Sequence, residues 1–508
     1  MSGDEAEDGP AHALQVIVLG SGGGPQENNV TALLVRATQA GWARGSIIAV
    51  DAGVHLSAIT RILQETLPQG LGTEVALPHK LETGPFAGLE VNAKSPERNA
   101  VHITRQLIDT YLITHPHLDH ISGFVINTAG LPGTRPKRLA GLPSTISAFK
   151  THIFNNTIWP NLSDENNGAG LVTYMRLVEG GSPAMGEGAG KGYLEISDGL
   201  GVKVFGVSHG HCIERHSHRG SQSSSRIGSA DMSIMFPRSA PGSNAASGPS
   251  GLFRATSMAR SSAQSQEQEH ICVYDSSAYF IRCHKTGKEV LIFGDVEPDT
   301  ISLSPRNLVI WQEAAPRIAR GDLAAIFIEC SYDDSQSDDR LFGHLAPRFI
   351  IEEMRALASE VESARQRPVK LETTKKRKRE LEEAVRRMNP ARSTPDEYPV
   401  SPKSTKPTRS YSGSDGFPSP MTTPHIATPT AELSLQDLDP TIQISIPQKP
   451  ISVRPLEGLK VVIIHVKDNF SDEETTGEII ISELLDYEKE AQLGCEFVIS
   501  QKGDSFFF

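Results

Sequence analysis

Residues 114–120 read THPHLDH, and they directly follow the apolar run LIDTYLI of residues 107–113. The chain has 17 histidines among 508 residues, so three histidines and an aspartate within this stretch are a marked concentration. The apolar run predicts a β-strand, and ISGFVINTAG after the last histidine predicts a helix. Such a cluster at a strand-to-helix turn predicts a binding site for metal ions.

The spacing of this motif suits two ions. His115 and His117 are two positions apart where the chain leaves the strand through Pro116, so both side chains can turn toward one ion. Asp119 and His120 fall at the start of the predicted helix, offset enough to serve a second ion. Imidazole and carboxylate ligands without thiolates are typical of catalytic zinc sites. The pattern HxHxDH therefore predicts the nucleus of a dinuclear metal site.

Two coordination spheres need more ligands, and these are expected at the ends of later strands. VFGVSHG supplies His209, VLIFGDVEPD supplies Asp295 and VVIIHVKD supplies His465. Each of them alone would be read as an ordinary strand-end or turn-capping residue. Beside the first motif, the three together are predicted to be ligands. FGHL adds His344 in a predicted loop.

Other histidines and the cysteines are expected to play no part in the site. His211, His216 and His218 are predicted to be loop residues, because no strand positions them. Cys212 is predicted to be a free buried thiol rather than a ligand. The five cysteines are scattered and form no CxxC pair, which indicates a reduced compartment without a disulfide framework.

Apolar strand patterns alternate with helical segments along most of the chain, which predicts an α/β or a layered α/β/β/α domain. Ser/Gly/Ala-rich and Ser/Thr/Pro-rich passages interrupt this pattern twice. The predicted organisation is a disordered tail at 1–12, catalytic-domain segments at 13–215, 269–360 and 451–508, and low-complexity insertions at 216–268 and 361–450, the second beginning with a charged helix.

The second insertion carries two kinds of candidate signal. Ser-Pro and Thr-Pro pairs within 395–430 are candidate sites for kinases. The basic run at 375–379 is read as a solvated helix face, with nuclear import as the alternative.

Composition narrows the function classes. The formal net charge is -12 and the pI is about 5.8, which argues against a dedicated nucleic-acid binder. The acidic N-terminus has no apolar signal-peptide core, and no stretch is long and apolar enough to span a membrane. A small-molecule substrate and a cytoplasmic location are the expectations, with no membrane partner.

These motifs resemble those of a known group of enzymes. HxHxDH, followed by His, Asp and His after successive strands and preceded by a glycine turn and VDAG, resembles the metallo-β-lactamase superfamily. The fuller pattern THPHLDHISGF, GDVEPD, ECSYDD and LFGHL looks like the fungal class II cyclic-nucleotide phosphodiesterases. The resemblance covers nearly all the chain outside the two insertions. It implies a four-layered αββα sandwich.

The resemblance also implies residue roles. One zinc would be held by His115, His117 and His209, the other by Asp119, His120 and His465, with Asp295 bridging them. His344 would lie at the scissile phosphate, while Glu329 and Asp51 would orient metal-binding histidines. Manganese or iron also suits such ligands. The implied catalytic residues are Asp119, Asp295 and His344.

The implied reaction is hydrolysis of cAMP, and by extension cGMP, to the 5′-monophosphate by a hydroxide that two metal ions activate. This reaction would lower cAMP signalling. One alternative keeps the fold but cuts RNA 3′ extensions as ribonuclease Z does. An acidic chain without a folded basic surface fits that alternative poorly. A non-catalytic metal-binding scaffold is the second alternative.

Overall fold

The computed structural model of the protein describes residues 12–131, 135–186, 188–215, 269–366 and 454–508. These residues belong to one compact unit. The predicted insertion at 216–268, nearly all of the predicted tail and most of the second insertion lie outside the described residues. The kinase sites and the basic run lie there too, so they stay predictions, as does the cytoplasmic location.

The regular elements follow the predicted alternation. The strands are β1 (Leu14–Gly20), β2 (Ala32–Ala37), β3 (Ile47–Val50), β4 (His79–Lys80), β5 (Glu90–Val91), β6 (Ile108–Leu112), β7 (Lys137–Gly141), β8 (Val172–Arg176), β9 (Leu194–Ser197), β10 (Leu200–Arg215), β11 (Glu269–Cys283), β12 (Glu289–Phe293), β13 (Leu323–Glu329), β14 (Lys460–Ile464), β15 (Glu496–Ile499) and β16 (Ser505–Phe507). The α-helices are α1 (Leu56–Thr66), α2 (Pro96–His102), α3 (Leu118–Gly130), α4 (Pro143–Ala148), α5 (Asn307–Arg320), α6 (Pro347–Gln366) and α7 (Thr476–Ala491).

Two seven-stranded sheets organise these strands. The first has the order β16-β1-β2-β3-β6-β7-β8, antiparallel from β16 to β3 and parallel from β3 to β8. The second has the order β15-β14-β13-β12-β11-β10-β9, parallel from β15 to β12 and antiparallel beyond. Strands β4 and β5 form a separate small pair.

The core consists of three apolar layers, one between the sheets and one on each outer face. Neighbouring residues of β1 alternate between them: Val16 packs in the layer between the sheets, and Ile17 packs under the helices of the first sheet. Trp311 of α5 and Phe349 of α6 cover the second sheet. Because both faces of each sheet are covered, central strands such as β12 are continuously buried. The predicted four-layered αββα sandwich is confirmed.

Two local expectations differ from the structure. His211 was predicted in a loop, but β10 continues past a bulge at Gly210 and pairs His211 with Val273. Glycine at a positive φ allows this irregularity without ending the strand. Helix α6 also runs through the predicted boundary at residue 360 and ends at Gln366. Within the described part of the chain, no helix is both long and apolar enough to cross a membrane.

Candidate metal centre

Five of the predicted site residues lie at the carboxyl ends of parallel strands in the two sheets. In the second sheet, Asp295 follows β12, Glu329 ends β13 and His465 follows β14. In the first sheet, Asp51 follows β3 and His115 comes shortly after β6. Strands that are parallel bring their carboxyl ends to one edge, which is where α/β folds place their sites. Residues distant in the sequence are thereby brought together.

Asp295 lies at the centre of this arrangement and is buried. Its Oδ1 is 3.1 Å from His120 Nε2, and its Oδ2 is 3.2 Å from His465 Nε2. The same Oδ2 lies 3.5 Å from His209 Nε2 and 3.6 Å from His115 Nε2. One carboxylate therefore faces four imidazole rings through their Nε2 atoms.

Two groups of candidate ligands share this carboxylate. The first group is His115, His117, His209 and Asp295, and the second is Asp119, His120, Asp295 and His465. Within each group the candidate ligand atoms all lie within 4.8 Å of one another. These are the two sets that the resemblance implied. His117 and Asp119 are the more exposed members.

The polar atoms at the centre lack hydrogen bonds. Nε2 of His115, His120 and His465 and Oδ1 of Asp295 are all buried, and none has a hydrogen-bond partner. An unsatisfied buried polar group is costly, and native proteins contain few of them. Here several converge on one place, and their donor set of imidazole nitrogens and carboxylate oxygen suits a divalent cation. The residues present therefore fit a metal centre.

Asp51 and Thr114 hold the Nδ1 atoms of His120 and His115. Asp51 Oδ2 accepts a hydrogen bond from His120 Nδ1 at 2.8 Å. Thr114 donates to Asp51 twice, from its backbone N–H at 2.8 Å and from its hydroxyl at 2.7 Å. Because the Thr114 hydroxyl donates its only proton to Asp51, it accepts a hydrogen bond from His115 Nδ1 at 3.1 Å. Both rings are thus oriented with Nε2 toward the centre.

The other two rings are fixed in the same way by oxygens on distant segments. Thr31 lies 2.7 Å from His465 Nδ1 and donates its own proton to the carbonyl of Gly22 at 3.3 Å. The carbonyl of Gly343 accepts from His209 Nδ1 at 2.9 Å. These oxygens place the ring protons on Nδ1 and leave the Nε2 lone pairs for a cation.

Burial and charge set the protonation of these groups. Burial lowers the pKa of His115 and His465 well below the usual value, and that of His117 to about 4. Burial would also lower the pKa of His120, but Asp295 and Asp51 raise it well above normal. Burial would raise the pKa of Asp295, but the surrounding imidazoles, His120 first, hold it well below its usual range. The centre therefore combines an ionised carboxylate with mostly neutral rings.

The backbone is strained at two of these positions. Asp51 has φ 54° and His465 has φ 59°, in the left-handed region that residues other than glycine rarely adopt. Both follow directly after a buried strand, so the strand anchors the strained residue. Strain of this kind persists only where surrounding contacts impose it, and it concentrates at functional sites.

Glycines let the loops approach the site closely. A Cβ atom at Gly23 would lie 2.6 Å from Cδ2 and 2.7 Å from Nε2 of His465, so a side chain there would displace the ring. Gly53 lies equally close to the start of α3, where a Cβ would come 1.8 Å from the carbonyl oxygen of Asp119. The glycine turn expected near the site is therefore in contact with it.

His344 lies on the rim of the cluster, in the predicted loop. Its ring centroid is 4.8 Å from that of His209 and 5.3 Å from that of His465. Its Nδ1 lies 2.9 Å and 3.0 Å from the two carboxylate oxygens of Glu329. Burial alone would lower the pKa of His344, but the Glu329 carboxylate outweighs it and the pKa is raised.

Glu329 thus orients a different histidine from the one expected. The resemblance implied that Glu329 would hold a metal-binding histidine, whereas its hydrogen bonds go to His344, to Val296 N at 2.8 Å and to Ser331 Oγ at 2.7 Å. Asp51 does contact a candidate metal ligand, His120. Sequence reasoning missed Thr31, Thr114 and the Gly343 carbonyl, since a hydroxyl or a carbonyl gives no motif.

The sequence model of the family "cAMP phosphodiesterases class-II" matches residues 15–225 and 231–374. The chain belongs to this family. A 3′,5′-cyclic-nucleotide phosphodiesterase of Schizosaccharomyces pombe is 30% identical over 345 residues, covering 68% of this chain and 75% of that protein. A 3′,5′-cyclic-nucleotide phosphodiesterase of Candida albicans is 28% identical, covering 68% of this chain and 83% of that protein.

A solved structure supports the fold of this class-II family member. Unliganded yeast PDE1 has a TM-score of 0.57 at 18% identity, covering 98% of this chain and 100% of that chain. His465 lies beyond the residues that the family model matches. Its assignment to the site therefore rests on its distance to Asp295 and on the Thr31 hydrogen bond.

Proposed function

We propose that this chain hydrolyses 3′,5′-cyclic nucleotides to nucleoside 5′-monophosphates at the metal centre, with two divalent cations. The family match and the relatives named as 3′,5′-cyclic-nucleotide phosphodiesterases support the reaction. The observation that carries the mechanism is the pair of ligand groups that share Asp295. Nε2 of His115, His120 and His465 and Oδ1 of Asp295 are buried at their centre without a hydrogen-bond partner.

The residues divide between the two ions in our proposal. His115, His117 and His209 would hold one, Asp119, His120 and His465 would hold the other, and Asp295 would contact both. Bound divalent cations lower the pKa of coordinated water and neutralise charge on phosphoryl oxygens. Zinc is the proposed metal, because nitrogen and carboxylate ligands at a buried site suit it best.

His344 is proposed as the proton donor to the leaving 3′-oxygen. Glu329 accepts from Nδ1 and thereby directs Nε2 away from itself. The raised pKa, which Glu329 produces against the opposing effect of burial, keeps the ring protonated nearer neutral pH. A general acid needs both this position and this protonation state.

The proposal is tested by assaying the full-length protein with cAMP and with cGMP. Product chromatography should find the 5′-monophosphate, and elemental analysis should find about two equivalents of transition metal, as a two-metal mechanism requires. A precursor tRNA serves as the substrate for the alternative. Turnover of that RNA without turnover of either cyclic nucleotide would contradict the proposal.

A further inference from the structure

Lys467 lies two positions after His465, on the loop that follows β14. It belongs to neither ligand group and was not expected to take part in the site. Its side chain is half-buried at the site rather than extended into solvent. A half-buried lysine in this position needs an explanation.

Backbone contacts hold Lys467 beside the metal-binding ring of His465. The backbone N–H of Lys467 donates to the carbonyl of Ser331 at 3.1 Å. Its ammonium donates to the carbonyl of Gly23, also at 3.1 Å. Gly23 is the residue whose Cβ would lie 2.7 Å from His465 Nε2. The ammonium is therefore hydrogen-bonded to the backbone of Gly23, which packs against the Nε2 side of the His465 ring.

The same ammonium is close to the proposed proton donor. It lies 5.8 Å from the centre of the Tyr332 ring, and that ring is 6.1 Å from the ring of His344. Its positive charge opposes protonation of both His344 and His465. Lys467 is thus adjacent to the region where the phosphate ester must lie if His344 protonates its leaving oxygen.

The charge of Lys467 has no carboxylate partner. Among the described residues, Lys467 makes no ion pair within 4.0 Å. Lys460, at the other end of β14, shows the contrast, because its Nζ lies 2.8 Å from a carboxylate oxygen of Glu496. A half-buried ammonium that has one carbonyl acceptor retains two further N–H donors for an anion.

We infer that Lys467 binds the phosphoryl group of the cyclic nucleotide and, more tightly, that of the product. This inference rests on the proposed function. Hydrolysis turns a phosphodiester with one negative charge into a monoester with about -1.5 to -2 charges at pH 7. A fixed cation beside the reacting group therefore interacts more strongly with the product than with the substrate, and more strongly as charge develops.

The test compares Lys467→Met, Lys467→Gln and Lys467→Arg in the full-length, metal-loaded protein. We expect Lys467→Met to raise KM for cAMP about 10-fold and to weaken inhibition by 5′-AMP by about 10- to 100-fold, the range for losing a hydrogen bond to a charged group. Lys467→Arg should recover most of the 5′-AMP affinity, because it keeps the charge. If Lys467→Met does not fold, Lys467→Gln replaces it as the variant without the positive charge.

Lys460→Met is the matched control, since it removes a lysine at the start of β14, the end of that strand remote from the site. It should leave KM and 5′-AMP inhibition unchanged. Unaltered 5′-AMP inhibition in Lys467→Met would overturn the inference. Loss of both metal and activity in this variant would also overturn it, because Lys467 would then act by holding His465 in position. Failure of the wild-type protein to hydrolyse cAMP would instead remove the proposed function on which the inference rests.

Discussion

Strand β12 has a buried carboxylate near each end, and the two have opposite surroundings. Glu289 begins the strand and accepts hydrogen bonds from Tyr193 Oη at 2.5 Å, from Arg317 Nε at 3.0 Å and from Arg282. Asp295 follows the strand, and its Oδ1 accepts none. Both side chains are buried. The first carboxylate is satisfied by protein groups, whereas the second faces rings whose Nε2 atoms also lack partners.

This difference separates a structural cluster from a functional one. A buried charge is tolerated when protein donors compensate it, and around Glu289 two guanidinium groups and a phenol do so. Around Asp295 the imidazoles, His120 first, compensate the charge, and a bound divalent cation would take over that role. The two ends of β12 therefore predict opposite responses to mutation.

The largest effect on activity is expected from substitution of Asp295, the carboxylate after β12. Asp295→Asn should abolish turnover of cAMP and reduce bound metal below one equivalent, because the shared ligand loses its charge. Thermal unfolding of the metal-free protein should change little, since Oδ1 makes no hydrogen bond within the fold. Activity assays, elemental analysis and calorimetry measure these three quantities. An active Asp295→Asn enzyme with full metal content would show that Asp295 is not the shared metal ligand.

The reverse pattern is expected at the satisfied end. Glu289→Ala should lower the free energy of unfolding by about 3–5 kcal/mol, because Arg282 loses its carboxylate partner and the buried Arg317 keeps only Glu313 of its two. The fraction that remains folded should keep its metal. Denaturant unfolding of the metal-free protein measures the first quantity, and elemental analysis of the folded fraction measures the second. If Glu289→Ala lost metal without losing stability, Glu289 would belong to the functional cluster and not to a structural one.

A smaller effect separates the proposed metal ligands from the proposed proton donor. His344→Ala should reduce kcat about 100-fold, a typical magnitude for loss of a general acid, with both metals retained. His344 lies 3.9 Å from Asp295 through the nitrogen that Glu329 already holds, so it is not expected to bind metal. Steady-state kinetics and elemental analysis together test this. Metal loss in the variant would place His344 among the ligands.

The smallest effect concerns the residues behind the rings. Thr31→Val keeps the shape of the side chain but removes the acceptor of His465 Nδ1. Metal affinity should fall by about 10- to 100-fold, as is usual for such partners. Thr31→Ser keeps the hydroxyl and serves as the control. Competition with a chelator gives the affinity directly, and equal affinities in Thr31→Val and Thr31→Ser would show that the hydroxyl has no such role.

The sequence was informative wherever a polar residue interrupts or directly follows an apolar strand. His209, Asp295 and His465 each do so, and the structure brings all three to the centre together with the HxHxDH motif. The αββα layers were predictable for a related reason, because strands buried on both faces are mostly apolar along their length.

Other parts of the site leave no such pattern. Thr31 and Thr114 are ordinary threonines in the sequence, and the Gly343 carbonyl is backbone. That carbonyl reaches His209 because Gly343, at φ 82°, lies so close to Gly210 that a Cβ atom would come 2.6 Å from the Gly210 nitrogen. His211 belongs to β10 because β11 pairs with it beyond a bulge, which is a non-local contact.

The sequence by itself determined the residue types of the centre and the strand ends that carry them, because periodicity and ligand chemistry are local properties. Only the tertiary structure decided that Asp295 is shared by both ligand groups and that Glu329 holds His344. It also decided that Lys467 lies beside His465 with no carboxylate among the described residues within 4.0 Å of its ammonium. These relations depend on distances between strands of two different sheets, and such distances exist only after the sheets have packed.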